Sequence, residues 1–207
     1  MPVLDTHWLR RAANRDPFTW LSTAPGEALS HETATRLRAT FPEDGFRRKD
    51  ATGQGREKSY RNYSRPLVVD SVPLATDLPP LWQRLVGELT ADDYRKDVAA
   101  LLGQEVARTV EIRLVRHAGG DWLSPHTDRA DKLFSHIFYF NPGWRAEWGG
   151  CLEILSGNDP DAVVARIPPE LGATALLARA DNSWHQVSRV AAQPAPERTS
   201  LLVHGVR

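Results

Sequence analysis

Apolar residues recur at helical spacing through the first half of the chain. Ser30 is placed to cap a helix that runs through Thr33, Leu37 and Phe41 and is ended by Pro42. After Pro80, the residues Leu81, Leu85 and Leu89 form one apolar face. Thr90-x-x-Asp93 resembles a cap for the next helix, which carries Tyr94, Val98, Leu101 and Leu102 and stops at Gly103. The second half reads as strands. Leu133-Phe134-Ser135-His136-Ile137-Phe138-Tyr139-Phe140 is stopped by Asn141-Pro142-Gly143, and Cys151-Leu152-Glu153-Ile154-Leu155 follows Trp148-Gly149-Gly150. A last strand opens at Arg198-Thr199-Ser200-Leu201-Leu202-Val203. Between Phe41 and Arg65 neither pattern holds. That polar stretch carries Arg47, Lys49, Arg56, Lys58 and Arg61 among its cations, with Tyr60 and Tyr63 interleaved and Gly53-Gln54-Gly55 interrupting it. It reads as a solvated loop or as a lid, whose side chains would suit a molecule bearing carboxylate or phosphate.

Composition narrows the functional classes. At 207 residues the chain can bury a sizeable core, and no internal repeat, low-complexity tract or long linker divides it, so one domain over 1–207 is expected. Its 26 basic and 26 acidic residues balance, which removes a global electrostatic case for nucleic acid or an acidic membrane while leaving local basic patches open. A single cysteine, Cys151, excludes an intramolecular disulfide. Without a signal peptide or a membrane-length apolar run, the expectation is a cytoplasmic protein with no membrane partner.

The candidate chemistry lies at His126 and Asp128, within Leu123-Ser124-Pro125-His126-Thr127-Asp128, followed in order by His185 and Arg198. Two imidazoles and one carboxylate bind one face of a ferrous ion and leave three positions open, the arrangement of non-haem iron oxygenases. Residues i and i+2 of an extended segment share a face, so His126 and Asp128 can reach one metal, with His185 supplied from elsewhere. A His-x-Asp tripeptide by itself fits a solvated strand end equally well. Arg198, thirteen residues past His185 and opening an apolar strand, reads either as a surface arginine or as an anion clamp. The remaining histidines read more plainly. His136 lies among aromatics as a core or pocket-wall histidine, His204 reads as structural, and His117 either reaches substrate or flanks the turn before Gly119.

From about Val110 to Val206 the chain resembles the Fe(II)/2-oxoglutarate-dependent dioxygenases, in particular their prolyl-4-hydroxylase-like branch. The resemblance is carried by Ile112-Arg113-Leu114-Val115-Arg116, Gly119-Gly120-Asp121-Trp122, His126-Thr127-Asp128, Phe138-Tyr139-Phe140-Asn141, Gly149-Gly150, Trp184-His185-Gln186-Val187 and Arg198-Thr199-Ser200. It implies a mainly β fold with supporting α-helices, a double-stranded β-helix or jelly-roll sandwich. Helical support would cover about 1–105 and the iron-binding core about 106–207. The resemblance assigns His126, Asp128 and His185 to Fe(II), and Arg198 with Ser200 to the far carboxylate of 2-oxoglutarate. Dioxygen is then the co-reactant, succinate and CO2 the by-products, and ascorbate a possible stimulant. An Asp at position 128, where related halogenases carry a small residue, points to hydroxylation, desaturation or cyclisation instead of chlorination. The expected substrate is a small molecule such as an amino acid or a biosynthetic intermediate. Hydroxylation of a protein side chain and a non-catalytic β-sandwich binding module stand as alternatives, and the oligomeric state stays open.

Overall fold

The computed structural model describes residues 2–52, 58–75, 77–193 and 195–207, so Gly53-Gln54-Gly55 and Arg56 lie outside the described residues. The first part of the chain contains β1 (Trp20–Thr23), α1 (His31–Ala39), β2 (Arg47–Ala51), β3 (Tyr60–Val69), β4 (Val72–Pro73), α2 (Pro80–Thr90) and α3 (Asp92–Leu102). Strands then follow one another: β5 (Thr109–His117), β6 (Trp122–His126), β7 (Lys132–Tyr139), β8 (Leu152–Leu155), β9 (Val163–Ile167), β10 (Thr174–Ala178), β11 (His185–Val187) and β12 (Arg198–Val206).

The helix ends follow local chemistry. The Ser30 hydroxyl accepts from the Thr33 amide at 3.1 Å and caps α1. Pro80 opens α2, where a missing N–H costs no hydrogen bond. The expected Thr90–Asp93 cap does not form: Thr90 still belongs to α2, and its hydroxyl donates to the Gly87 carbonyl at 2.9 Å. Only Ala91 separates α2 from α3, so no free residue with a polar side chain remains to cap the second helix. Gly103, at φ 67°, closes α3 in the left-handed conformation that favours glycine.

The strands form one antiparallel sheet in the order β1-β10-β7-β12-β5-β3-β6-β11-β8-β9, with β2 and β4 also paired to β3. Strand β3 makes the sheet fold back on itself, because Tyr63–Val68 pair with β5 while Tyr60 and Arg61 pair with β6. The result is a mainly β, jelly-roll-like architecture in which β6-β11-β8-β9 faces β7-β12-β5 across an interior.

Alternation along β7 and β12 decides what is core and what is site. Phe134, His136 and Phe138 of β7, with Leu201 and Val203 of β12, point toward the helices and join a core with Leu37, Trp82, Leu85 and Val98. Ser135 and Ile137 of β7 and Ser200, Leu202 and His204 of β12 line the interior. Both faces of β7 are therefore covered, and all eight of its residues are buried. That double burial explains the unbroken apolar run in the sequence. Full burial of one large apolar side chain contributes about 1.5–3 kcal/mol relative to exposure, so the helices hold the floor of the interior in place.

Between Phe41 and Arg65, residues 42–46 are irregular and largely exposed, while Arg47–Ala51 and the start of β3 are strand. β2 pairs with β3 from Arg47 opposite Ser64 to Ala51 opposite Tyr60. Four of the five β2 residues are exposed, so backbone pairing and not an apolar face holds the strand, which is why periodicity missed it. No helix among the described residues is long and apolar enough to cross a membrane.

Candidate metal centre

His126 ends β6, Asp128 follows two residues later, and His185 begins β11, directly opposite His126 in the antiparallel register. The ligand atoms the three residues offer lie within 4.8 Å of one another. All three are buried. Each imidazole is oriented by its own backbone: Nδ1 of His126 lies 3.0 Å from the Ser124 carbonyl, and Nδ1 of His185 lies 2.9 Å from the Ser183 carbonyl. A carbonyl oxygen only accepts, so Nδ1–H donates in both rings and Nε2 keeps its lone pair for a metal. Burial, with the His185 and Lys58 charges adding to it, pushes the His126 imidazole well below the usual range; burial likewise lowers His185. Both rings are thus held neutral, as coordination requires.

Asp128 is anchored through both oxygens. Lys132 Nζ donates to Oδ1 at 2.8 Å, and the Ser135 hydroxyl donates to Oδ2. His204 closes the ring, with Nε2 3.0 Å from Lys132 Nζ and Nδ1 2.8 Å from the Ser135 hydroxyl. The ammonium has no lone pair, so His204 accepts through Nε2 and donates through Nδ1. Every member of the ring is then satisfied. Burial alone would raise the Asp128 carboxyl, but His204 and Lys132 outweigh it and hold the group well below the usual carboxylate range. Since burial lowers His204 itself, the ammonium of Lys132 is the cation that counts at neutral pH. A donor set of two neutral imidazoles and one ionised carboxylate on one side of a cavity fits a ferrous ion with open positions.

The same cavity, of about 290 Å³, reaches Arg198 and Ser200. Arg198 is 2% exposed; its Nε donates to the Gly150 carbonyl at 2.7 Å, and NH1 lies 3.4 Å from the Ser200 hydroxyl. Among the described residues no carboxylate pairs with this guanidinium. Beside it, Nε2 of His117 and the hydroxyl of Tyr139 are buried without hydrogen-bond partners. Nδ1 of His117 lies 3.4 Å from Arg198 NH1, and the guanidinium stands 5.2 Å from the Tyr139 ring. Burial pushes the Tyr139 phenol up to about 12, so it stays a donor. A buried guanidinium without a carboxylate partner among the described residues, beside the unpartnered Nε2 of His117, fits a carboxylate ligand.

His136 is not part of the site. It lies on the helix-facing side of β7, with Nδ1 2.7 Å from the Tyr94 hydroxyl and its ring 5.2 Å from that of Trp8. His204, read from the sequence as structural, instead supports the metal carboxylate. Lys132 and Ser135 went unremarked in the sequence, although Lys132 stands four residues after Asp128. The even spacing of Arg198, Ser200, Leu202 and His204 places all four on one strand face and was the available signal for His204. Arg61, grouped in the sequence with the lid cations, turns away from the cavity: it pairs with Asp50 at 3.1 Å and stands 5.2 Å over the Trp122 ring. Lys49, Tyr60, Asn62 and Ser64 line the cavity instead.

Residues 112–203 match the model of the 2OG-Fe(II) oxygenase superfamily. No curated protein matches the chain by sequence. Among solved structures, a Pseudomonas putida prolyl-4-hydroxylase aligns over 98% of this chain and 96% of its own, at 17% identity and a TM-score of 0.67. A Burkholderia pseudomallei 2OG-Fe(II) oxygenase family oxidoreductase aligns over 89% and 84%, at 20% identity and 0.64. A prolyl hydroxylase from Trichoplax adhaerens, solved with a hypoxia inducible factor peptide, aligns over 97% and 86%, at 14% identity and 0.66.

Proposed function

We propose that the chain, whose residues 112–203 match the 2OG-Fe(II) oxygenase superfamily and which brings His126, Asp128 and His185 together, is such an oxygenase and hydroxylates a small molecule, such as an amino acid or a biosynthetic intermediate. Iron and 2-oxoglutarate are the cofactor and cosubstrate of the family, and when bound they supply the activation of dioxygen that oxidises a C–H bond. In this reading Arg198 and Ser200 hold the far carboxylate of 2-oxoglutarate, with the Tyr139 hydroxyl and His117 Nε2 within the same buried neighbourhood. A guanidinium would offer a planar fork to that carboxylate, in the cavity that the triad also lines.

The observation that carries the small-molecule reading is the burial of the triad in a small cavity. Strands β2 and β3 roof the cavity with Lys49, Tyr60 and Asn62, while Val115, Ile137 and Leu202 form an apolar floor. About 290 Å³ lies near the lower end of small-molecule pockets, roughly 300–1,000 Å³. An apolar floor positions a C–H bond and excludes water from the reacting centre. A peptide substrate would need an open groove along a strand edge. Succinate release with ferrous iron, 2-oxoglutarate and ascorbate tests the proposal when amino acids and other small metabolites are compared with proline-containing peptides. Stimulation by a small molecule, with a product heavier by one oxygen, is expected. Stimulation by peptides alone would replace this reading with a protein hydroxylase, and absence of all turnover in the iron-loaded protein would favour a binding module.

A further inference from the structure

The three side chains of the candidate metal centre are not held alike. Nδ1 of His126 and Nδ1 of His185 are each fixed by a carbonyl of their own segment, that of Ser124 and that of Ser183. Asp128 has no such help. β6 ends at His126, Asp128 falls in the irregular stretch before β7, and among the described residues no backbone N–H reaches its carboxylate. An aspartate's last torsion is broad and roughly two-fold, so chain position alone leaves the plane of the carboxylate unset. Both oxygens are taken instead by the facing strands. Lys132 and Ser135 come from β7, and His204, which bonds both of them, comes from β12, directly opposite Ser135 in the antiparallel register.

We propose that Lys132, Ser135 and His204 are positioning residues for the metal-dependent reaction: they form a carboxylate cradle on β7 and β12 that sets the pose of Asp128 before a metal arrives. The inference rests on the metal-centre reading and is independent of which substrate is oxidised. Stability is a weak reason for the cluster. Asp128, Lys132, Ser135 and His204 are all buried, and apolar side chains of similar size often match or exceed a buried ion pair in stability. What the cluster does supply is direction. Lys132 and Ser135 hold different oxygens, which locks rotation about the Cβ–Cγ bond of Asp128. His204 holds Lys132 and Ser135 in turn, so neither donor is free to swing away. A ligand oriented in advance loses little further torsional freedom on coordination. The metal site thereby spans the interior, with the imidazoles supplied from β6 and β11 and the orientation of the carboxylate supplied from β7 and β12.

The test is an anaerobic calorimetric titration of the full chain with Mn(II), with the melting temperature of the metal-free protein measured alongside. Ser135→Ala removes one anchor without changing charge and should weaken Mn(II) binding roughly three- to tenfold, the cost of ordering one side chain on coordination. Ser135→Thr keeps the hydroxyl and should recover most of that loss. A purely structural role would lower the melting temperature and leave the Mn(II) affinity of the folded protein unchanged, and that result overturns the inference. The second arm removes the ligand and keeps the cradle. Asp128→Gly should bind Mn(II) weakly, and added formate, held by Lys132 and Ser135, should restore the affinity roughly tenfold or more. Asp128→Gly/Lys132→Met should show no such rescue. Absence of rescue in the single variant, or equal rescue in the double variant, also overturns the inference. Failure of the unaltered chain to bind Mn(II) is a different result: it removes the metal centre itself, and the inference with it.

Discussion

Replacing Arg198 by leucine tests the cosubstrate pocket through stability as well as affinity. The guanidinium is 2% exposed and without a carboxylate partner among the described residues, and burial lowers its pKa from the ordinary arginine value. Before cosubstrate binds, it is a desolvated charge held by the Gly150 carbonyl and the neighbouring Ser200 hydroxyl. Losing one member of a buried charge pair costs about 2–5 kcal/mol of binding, or roughly 30- to 5,000-fold in 2-oxoglutarate affinity. At a ligand concentration of about 100 Kd the unaltered protein gains about 2.7 kcal/mol, which for a chain of this size is a rise in Tm of roughly 5–11 °C. At that same concentration, even a 30-fold loss leaves about 0.9 kcal/mol, or a shift of about 2–4 °C at most. The measurement is thermal unfolding of the Mn(II)-loaded protein with and without 2-oxoglutarate. The variant without cosubstrate should melt close to the unaltered protein, because removal of an unpaired buried charge offsets the lost Gly150 contact. Arg198→Lys should recover only part of the shift, since an ammonium keeps the charge but not the fork. A full 2-oxoglutarate shift in Arg198→Leu refutes the assignment.

Three further outcomes follow from the geometry. His126→Ala, Asp128→Ala and His185→Ala should each lose ferrous binding in an anaerobic titration while His136→Ala keeps it; full affinity in the His185 variant would remove that residue from the metal site. Burial lowers His136 to about 3, so its folded pKa lies below the unfolded value of 6.5. The stability it contributes is complete above pH 6.5 and is lost as pH falls from 6.5 toward 3. His136→Gln should accordingly reduce the dependence of stability on pH by about one proton, about 1.4 kcal/mol per pH unit within that window, read from urea midpoints; an unchanged slope contradicts the buried neutral ring. Gly205→Ala would set a Cβ 2.1 Å from Phe134 Cε1 in the core, so a loss of about 1–3 kcal/mol is expected by chemical denaturation, and a neutral effect would mean that the ring moves freely.

His126, Asp128, His185 and Arg198 were legible in the chain because their chemistry is local in kind. A ferrous site needs imidazole and carboxylate, an i, i+2 pair shares a face, and a cation opening an apolar strand stands out. The helices were legible for a similar reason: α1, α2 and α3 each bury one face, and burial writes a 3.6-residue rhythm into the sequence. Residues whose neighbours come from distant strands left no such mark. His204 meets Lys132 and Ser135 only because β12 pairs with β7, and the three of them hold Asp128 from behind. His136 and Ser135 are adjacent in the chain, yet one serves the helix-side core and the other the metal carboxylate, a division set by which face of β7 the helices cover. The hairpin of β2 and β3 was hidden because backbone hydrogen bonds, which carry no side-chain signature, hold it in place. Sequence determined the kind of chemistry; the sheet's fold-back at β3 decided which lysines overlook it, because only that bend brings the roof over the triad.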